Sequence, residues 1–214
     1  MGPARGTAGP ARARFIVVDG IDGCGKSTQA ELLCRALERE GREPLHLREP
    51  GSTRAGERIR ALLLEPGVEL SATVEFLLFA AARRAMLDEL VRPALERGRD
   101  VVCERFHAAT FAYQGTAGGL DEDALLELLL RWANEPAPDL VLVLELPAEE
   151  AAGRLAARGK PDRFEARGLD FQRRVARGFE RFVARTPSAR AIDATGSVEE
   201  VAGRVLGEVR RAHP

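Results

Sequence analysis

The chain contains a glycine-rich octapeptide with the spacing G-x-x-x-x-G-K-S, formed by Gly20-Ile21-Asp22-Gly23-Cys24-Gly25-Lys26-Ser27. Glycines allow consecutive backbone N–H groups to converge on phosphate oxygens, and a helix that follows directs its positive end at the same anion. In this pattern Lys26 reaches the outer phosphates and the Ser27 hydroxyl ligates magnesium. Thr28 is expected to face phosphate as well. The octapeptide therefore predicts a site for a nucleoside triphosphate with Mg²⁺.

Other interpretations of the octapeptide have to be weighed against this one. It could be a glycine turn that carries a lysine by accident, and Cys24 needs only to be small. Of the 32 basic residues, however, only Lys26 and Lys160 are lysines. Because lysine is so rare in this chain, a lysine is not expected at this position of the motif by chance. Several classes of nucleotide-hydrolysing enzymes and small-molecule kinases carry this motif. The chain lacks the N-K-x-D segment with which GTPases bind guanine, and 214 residues leave no room for helicase machinery.

Short apolar runs alternate along the chain with helical patterns. We predict strands at residues 15–19, 44–48, 100–103, 140–146 and 189–193. Helical patterns cover about 26–40, 55–64, 71–97, 121–134, 148–158 and 169–184, and a last helix starts at 197. This alternation predicts right-handed βαβ units. We therefore expect an α/β fold of the P-loop NTPase type, with a doubly wound five-stranded parallel sheet, helices on both faces and a short lid.

Length and charge limit the possible classes of protein. The chain has 214 residues, of which 45% are hydrophobic, and its formal net charge of −1 indicates neither a nucleic-acid nor a membrane partner. The three cysteines lack metal-ligand spacing, which favours a reducing, cytoplasmic setting. We predict a flexible tail over residues 1–13, rich in Gly, Pro and Ala, and a single domain over residues 14–214.

Further motifs follow the octapeptide at the ends of predicted strands and on predicted helices. They are R-E-P-G at 48–51, E-R-I-R at 57–60, E-F-L-L-F-A-A-A-R-R at 75–84, C-E-R-F at 103–106, T-F-A-Y-Q-G at 110–115, A-R-G-K-P-D-R-F-E at 157–165 and I-D-A-T at 192–195. In content and order these segments resemble the thymidylate kinases across essentially residues 15–209. The lid resembles the bacterial type, because the eukaryotic type carries an arginine in the phosphate loop, where this chain has Gly23 and Cys24.

The resemblance implies a binding site for thymidine 5′-monophosphate (dTMP). By this match Phe79 stacks on thymine, and Arg83, on the same helix face, donates to a ring carbonyl. Arg105 holds the acceptor phosphate, for which a planar guanidinium is suited. The other dTMP contacts implied are Asp22, Arg48, Arg60, Thr110, Tyr113 and Gln114, with Tyr113 disfavouring a 2′-hydroxyl. Taken alone, Phe79 could be a core residue and Arg60 a solvated one.

The resemblance also implies the donor site and the catalytic residues. ATP is expected to contact the octapeptide, Thr28, Arg154, Asp193 and Ala194. The lid is expected at about residues 154–166, unless these residues are simply a solvated charged turn. The catalytic residues implied, which offset the charge of the transferring phosphoryl group, are Lys26, Arg105, Arg158 and Arg163. The residues implied on the magnesium side are Ser27, Asp22 and Glu104.

The chain departs from the family pattern at three positions. Ser52 replaces a second glycine after R-E-P-G, Glu104 replaces the usual aspartate, and Ala176 replaces a frequent arginine. The extra methylene of Glu104 moves its carboxylate by about 1.5 Å. From that distance the carboxylate could reach a magnesium ion through water.

Taken together, the resemblance implies a cytoplasmic homodimer that uses Mg²⁺ and ATP to convert dTMP to its diphosphate for dTTP synthesis. The dimer contact is expected on the apolar helix faces around residues 62–64 and 77–81. One alternative is another nucleoside monophosphate kinase or a deoxynucleoside kinase, in which Glu104 would take a hydroxyl proton. Another is a regulatory protein that binds nucleotides without turnover.

Overall fold

The computed structural model describes residues 12–157, 159 and 162–212. Its sheet has five parallel strands in the order β2-β3-β1-β4-β5. They are β1 (Phe15–Gly20), β2 (Leu45–Arg48), β3 (Val101–Glu104), β4 (Leu140–Glu145) and β5 (Ala189–Asp193). The central strand β1 is buried along its whole length, as expected for a parallel strand with helices above and below it. The predicted strands are confirmed, and their ends shift by about one residue at most.

Helices connect the strands and cover the two faces of the sheet. They are α1 (Lys26–Arg39), α2 (Arg54–Leu64), α3 (Ala72–Met86), α4 (Arg92–Glu96), α5 (His107–Thr110), α6 (Glu122–Trp132), α7 (Ala148–Ala156), α8 (Leu169–Arg185) and α9 (Val198–Ala212). Two π-helical turns, Leu87–Val91 and Phe111–Thr116, follow α3 and α5. Helix α1 packs on α9, whereas α8 packs on the turn Phe111–Thr116. The expected doubly wound α/β class is confirmed.

Two helical segments differ from the sequence expectation. The helix predicted over 71–97 is divided by the π-helical turn, and Pro93 lies in the first turn of α4, where a missing N–H is harmless. The sequence pattern did not predict α5 at all. Its start is stabilised by Asp19 of β1, whose carboxylate accepts from the N–H groups of Phe106 and Ala109, both at 3.0 Å. A contact across about 90 residues leaves no local signal in the sequence.

The carboxyl ends of β1 and β3 lie side by side in the middle of the sheet. In open α/β sheets, ligands bind at the carboxyl edge of the sheet. They bind there between the two neighbouring strands from which the chain connections run in opposite directions. Strand β1 delivers the octapeptide there, and β3 delivers Glu104 followed by Arg105. The topology therefore brings together two motifs that are about 80 residues apart in the chain.

At the opposite edge of the sheet, Asp100 forms a buried ionic cluster. Its carboxylate accepts from the backbone N–H of Arg14 at 2.9 Å and from the guanidinium groups of Arg14 and Arg42 at 2.7 and 2.6 Å. Burial acts to raise the pKa of Asp100, but hydrogen bonds from Arg42 and Arg14 outweigh it. The pKa therefore lies below its ordinary value of 3.8.

We expect Asp100→Asn to lower the free energy of unfolding by about 3 kcal/mol at pH 7, because it leaves two arginines without their charged partner. A lowered folded-state pKa stabilises the protein above the unfolded-state pKa, and this contribution is lost as the pH falls through the folded-state value. In urea unfolding, the difference in stability between the wild type and the variant should therefore begin to shrink as the pH falls below about 4 and should be lost as the pH falls through the folded-state pKa. Asp88→Asn, which removes an exposed partner of Arg84, is the control and should cost less than about 1 kcal/mol. An equal loss in both variants would contradict this assignment.

Part of the predicted organisation falls outside the described ranges. Residues 1–11 of the expected tail, Arg158, Lys160 and Pro161 are among the positions that are not described. The division into a tail and one domain over residues 14–214 therefore stays a prediction. Within the described ranges, no helix combines the length and the apolar character needed to span a membrane.

Candidate active site

The octapeptide forms a loop between the carboxyl end of β1 and the first turn of α1. Gly25 precedes the helix with φ of 95°, and no described side chain caps it, so the N–H groups of the first turn remain available to a ligand. Gly23 has φ of 84°, and a Cβ there would lie 2.5 Å from the carbonyl oxygen of Ala151. Backbone conformation and close packing on α7 both require glycine in this loop.

Lys26 is buried at the start of α1. Its ammonium group donates to the carbonyl oxygens of Gly20 and Ile21 at 3.0 and 2.7 Å. The Asp22 carboxylate lies 3.9 Å from the same nitrogen. These contacts keep a positive charge within the loop.

Asp22 connects the loop to β3 and to the turn Phe111–Thr116. Its carboxylate pairs with the Arg105 guanidinium and accepts from the Tyr113 hydroxyl at 2.6 Å. Burial acts to raise the pKa of Asp22, but the charges of Arg105 and Lys26 outweigh it and lower the pKa to about 2. Arg105 has φ of 66°, a conformation that costs a side-chain-bearing residue about 1 kcal/mol or more. The surrounding contacts therefore hold Arg105 in place.

Glu104 points to the side of the sheet on which α1 begins. One carboxylate oxygen accepts from the Ser27 hydroxyl, and the other lies 2.9 Å from Nε2 of His46 on β2. Burial acts to raise the pKa of Glu104, but the hydrogen bonds from His46 and Ser27 outweigh it and lower the pKa. Two of the three predicted magnesium-side residues, Ser27 and Glu104, are thus in direct contact.

This donor set fits magnesium. The described residues contain no group of three or more His, Cys, Asp or Glu side chains that could hold a metal ion by themselves. Magnesium in nucleotide sites is typically held by one or two protein oxygens together with phosphates and water. A hydroxyl and a carboxylate beside the phosphate loop are ligands of that kind.

A second, mainly apolar cleft opens beside the phosphate loop. It is lined by Asp22, Glu49, Pro50, Arg60, Leu64, Phe79, Arg83, Arg105, Phe106, Ala109, Thr110, Tyr113, Gln114, Asp162 and Phe164. We call it the apolar cleft. Nearly all residues predicted to contact dTMP line it. The exception is Arg48, which lines the adjoining phosphate-loop cleft and pairs with Glu57 at 3.2 Å.

Arg83 is fully buried in the wall of the apolar cleft. Glu49 pairs with it at 2.6 Å, and Thr110 accepts from its Nη2 at 2.7 Å. Among the described residues, its Nη1 has no hydrogen-bond partner. The guanidinium is thus held rigidly in the cleft wall and has one nitrogen, Nη1, whose donors are unused and suit a carbonyl oxygen.

Two aromatic rings from distant segments meet in the apolar cleft. Phe79 of α3 and Phe164 of the predicted lid lie 6.0 Å apart between ring centroids. Tyr113 makes an edge contact with Phe164, also at 6.0 Å. The rings form a surface on which a flat base could stack.

We expect Phe79→Ala to weaken dTMP binding about tenfold or more with little change in kcat, because a stacked base loses about 1–3 kcal/mol when its aromatic partner is truncated. The dissociation constant for dTMP from calorimetry and the KM for dTMP should rise together. Phe79→Tyr keeps the ring and is the matched control, which should remain close to wild type. Unchanged affinity in the alanine variant would mean that Phe79 has only a packing role.

The phosphate-loop cleft is polar and adjoins the apolar one. It is lined by Asp22, Gly23, Gly25, Lys26, Ser27, Thr28, Glu31, Arg48, Glu49, Arg60, Glu104, Arg105, Arg154, Asp162 and Glu165. The two clefts share Asp22, Glu49, Arg60, Arg105 and Asp162. Ligands bound in the two clefts would therefore meet at this common wall.

The predicted lid arginines have different surroundings. Arg154 lines the phosphate-loop cleft and pairs with Glu150 at 2.6 Å. Arg163 does not line either cleft; it donates to the carbonyl oxygen of Leu63 at 2.8 Å and lies 3.0 Å from the buried carboxylate of Glu75. Arg158 lies outside the described residues. The catalytic roles of Arg158 and Arg163 therefore stay predictions.

The predicted ATP contacts Asp193 and Ala194 lie at the carboxyl end of β5. Asp193 lines a groove there together with Ile21 of the phosphate loop and Ala176 of α8. Asp193 accepts from the backbone and the hydroxyl of Thr195 at 2.9 and 2.7 Å, and Ala194 is buried. Because Ala176 has a short side chain, no cation from this position enters the groove.

Sequence reasoning missed three functional candidates. Glu49 balances the charge of Arg83, Phe164 completes the aromatic surface, and His46 holds Glu104. Phe164 could have been noticed as a large apolar residue within a charged turn. Glu49 and His46 gave no comparable signal, since each acts through a residue on another element.

Comparison with known proteins agrees with the expected resemblance. The sequence model of the Thymidylate kinase family matches residues 18–205. The thymidylate kinase of Gluconobacter oxydans (strain 621H) is 44% identical over 202 residues, which cover 92% of this chain and 94% of the relative. That of Chlamydia muridarum (strain MoPn / Nigg) is 39% identical over 199 residues, covering 92% and 98%. The chain therefore belongs to the thymidylate kinase family and is a phosphotransferase.

Proposed function

We propose that this enzyme transfers the γ-phosphoryl group of ATP to dTMP, giving the diphosphate used for dTTP synthesis. The observation that carries the proposal is the common wall of the two clefts, where Asp22 and Arg105 face both. A triphosphate in the phosphate loop and a monophosphate in the apolar cleft would bring their charged ends together there. In-line transfer requires this arrangement.

Residues of the common wall and the phosphate loop supply the charges that transfer needs. Lys26 and Arg105 offset the repulsion between two anionic nucleotides, and a lid arginine, Arg154, Arg158 or Arg163, contributes once the lid closes over the phosphates. The acceptor oxygen is already anionic near neutral pH, since the second pKa of a phosphate monoester is about 6. No general base is therefore assigned.

Ser27 and Glu104 are the residues that would hold magnesium, with Asp22 nearby on the loop. A bound magnesium ion supplies positive charge to the phosphate oxygens. Because Asp22 is committed to Arg105 and Tyr113, its part in magnesium binding is the smaller one in this proposal. Arg154, Asp193 and Ala194 complete the ATP site.

The apolar cleft would select the base and the sugar. Phe79 stacks on thymine, the free Nη1 of Arg83 donates to a ring carbonyl, and Tyr113 lies against the deoxyribose. Thr110 and Gln114 hold the neighbouring polar groups, while Arg48 and Arg60 approach the acceptor phosphate. The burial of Arg83 and the contact between Phe79 and Phe164 support this assignment.

A deoxynucleoside kinase is the nearest rival among enzymes. It would need Glu104 as a base beside the substrate hydroxyl. Glu104 instead contacts Ser27 and His46 and does not line the apolar cleft. A regulatory protein without turnover would not need a second cleft that shares a wall with the first.

One experiment separates these functions. ADP release would be measured in a coupled assay with dTMP, dUMP, dCMP, dGMP, UMP and thymidine as acceptors. We expect kcat/KM for dTMP to exceed that for the other bases by at least about tenfold, and no turnover of thymidine. Turnover of thymidine would support the deoxynucleoside kinase, and nucleotide binding without ADP release would support the regulatory protein.

We also propose a homodimer with no nucleic-acid or membrane partner. Leu62 of α2 and Val74 and Leu77 of α3 are large apolar side chains left exposed on neighbouring helices. Light scattering should give twice the monomer mass, and Leu77→Glu should shift it toward one monomer. A cytoplasmic location fits the three buried, free cysteines, and cell fractionation would test it.

A further inference from the structure

The edge strand β2 places a histidine beside the phosphate loop. Arg48 of β2 lies opposite Glu104 of β3 in the parallel register. His46 lies two residues before Arg48 and therefore projects from the same face of the sheet. This makes His46 and Glu104 diagonal neighbours, close enough for long side chains to meet. Their side chains do meet, at 2.9 Å between Nε2 and Oε1.

The two oxygens of Glu104 have different partners. Oε1 is held by His46, and Oε2 accepts from the hydroxyl of Ser27. The carboxylate is thus fixed between the edge strand and the first turn of α1. Its side chain is 16% exposed, so solvent has limited access to it.

Glutamate needs such a contact more than aspartate does at this position. The extra methylene adds a rotatable bond, and holding that bond in one conformation has an entropic cost. Once a contact holds Oε1, the orientation of the carboxylate is set and Oε2 faces Ser27. The imidazole can donate from Nε2 in its neutral form, so the contact does not require a charged histidine.

We infer that His46 is a positioning residue for Glu104. By holding Oε1 it keeps Oε2 beside the Ser27 hydroxyl, on the side where a divalent cation is bound together with the nucleotide. The inference rests on the proposed function, in which Ser27 and Glu104 hold magnesium. It assigns His46 no contact with either substrate.

Three variants separate positioning from packing. His46→Ala removes the donor. His46→Gln keeps an amide nitrogen at about the reach of Nε2, whereas His46→Asn has the same amide on a side chain too short for Glu104. Each is made in the wild-type chain and in Glu104→Ala, which removes both carboxylate oxygens. The effect of His46→Ala should disappear in the second background if His46 acts through Glu104.

Binding of Mn²⁺ to the ADP-bound enzyme gives a measurement independent of turnover, read from the loss of the free-ion signal in electron paramagnetic resonance. We expect His46→Ala and His46→Asn to weaken Mn²⁺ binding about tenfold, the lower end of what supporting residues contribute at metal sites. His46→Gln should stay close to wild type. The Mg²⁺ concentration for half-maximal turnover should rise in parallel, while the KM for dTMP remains unchanged.

Other outcomes would overturn the inference. These are wild-type Mn²⁺ binding in His46→Ala, a rescue by asparagine equal to that by glutamine, or a further loss caused by His46→Ala in the Glu104→Ala background. Failure of the wild type to phosphorylate dTMP would instead count against the proposed function. The two failures are distinguishable because Mn²⁺ binding with ADP does not involve the acceptor.

Discussion

Arg105→Ala should lower kcat about 1,000-fold and also weaken dTMP binding, because one guanidinium offsets charge on both phosphate chains. Arg105 lines both clefts, and its positive charge acts on Asp22 from within the protein. Removing it leaves the Asp22 carboxylate facing two incoming anions. Steady-state kinetics with dTMP, together with calorimetric binding of dTMP, would measure the two effects separately.

Arg105→Lys is the matched variant for this prediction. It keeps the positive charge but loses the planar fork that binds two oxygens at once. We expect activity between that of the alanine variant and the wild type. Near-wild-type turnover in Arg105→Ala would exclude Arg105 as the residue at which the two substrates meet.

Lys26→Ala should lower kcat by a similar factor of about 1,000 but leave dTMP affinity unchanged. Lys26 lines the phosphate-loop cleft and not the apolar cleft, so the loss should fall on the donor phosphates. The Lys26→Ala and Arg105→Ala variants should therefore differ in their affinity for dTMP rather than in kcat. Single-turnover rates and dTMP calorimetry on the same preparation would reveal it.

The Lys26 prediction needs a control for loop geometry. Its ammonium group also holds the carbonyl oxygens of Gly20 and Ile21, so alanine could disturb the loop itself. Lys26→Gln retains a hydrogen-bond donor without the charge and should lose as much activity as alanine. Substantial turnover in Lys26→Gln would mean that loop structure, rather than charge, is what Lys26 contributes.

The sheet was predictable from sequence for a simple physical reason. Strands buried on both faces are short, continuous apolar runs, and β1 and β4 contain little else. Helix α5 was not predictable, because its first turn is stabilised by the carboxylate of Asp19 on another strand. Sequence patterns reflect interactions between residues that are close together in the chain. This helix depends instead on an interaction with a residue far away in the chain.

The candidate site was predictable where a motif fixes the backbone. The octapeptide specifies its own loop through Gly23 and Gly25, and the motifs after β2 and β3 lie where strand order places them. Interactions between side chains of different motifs were not predictable. Examples are the pairing of Glu104 with His46, and the pairing of Arg163 with Glu75, which leaves Arg163 out of the lining of both clefts.

The burial of Arg83 bears on how a nucleotide with the wrong base would be rejected. Glu49 and Thr110 prevent its guanidinium from turning, so the direction of Nη1 is settled before any nucleotide arrives. Under the proposed function, a cytosine amino group in place of a thymine carbonyl would set two donors against each other in a dry wall. The wrong pyrimidine would then be excluded by an unpaired polar group, a penalty far larger than that for a lost methyl contact.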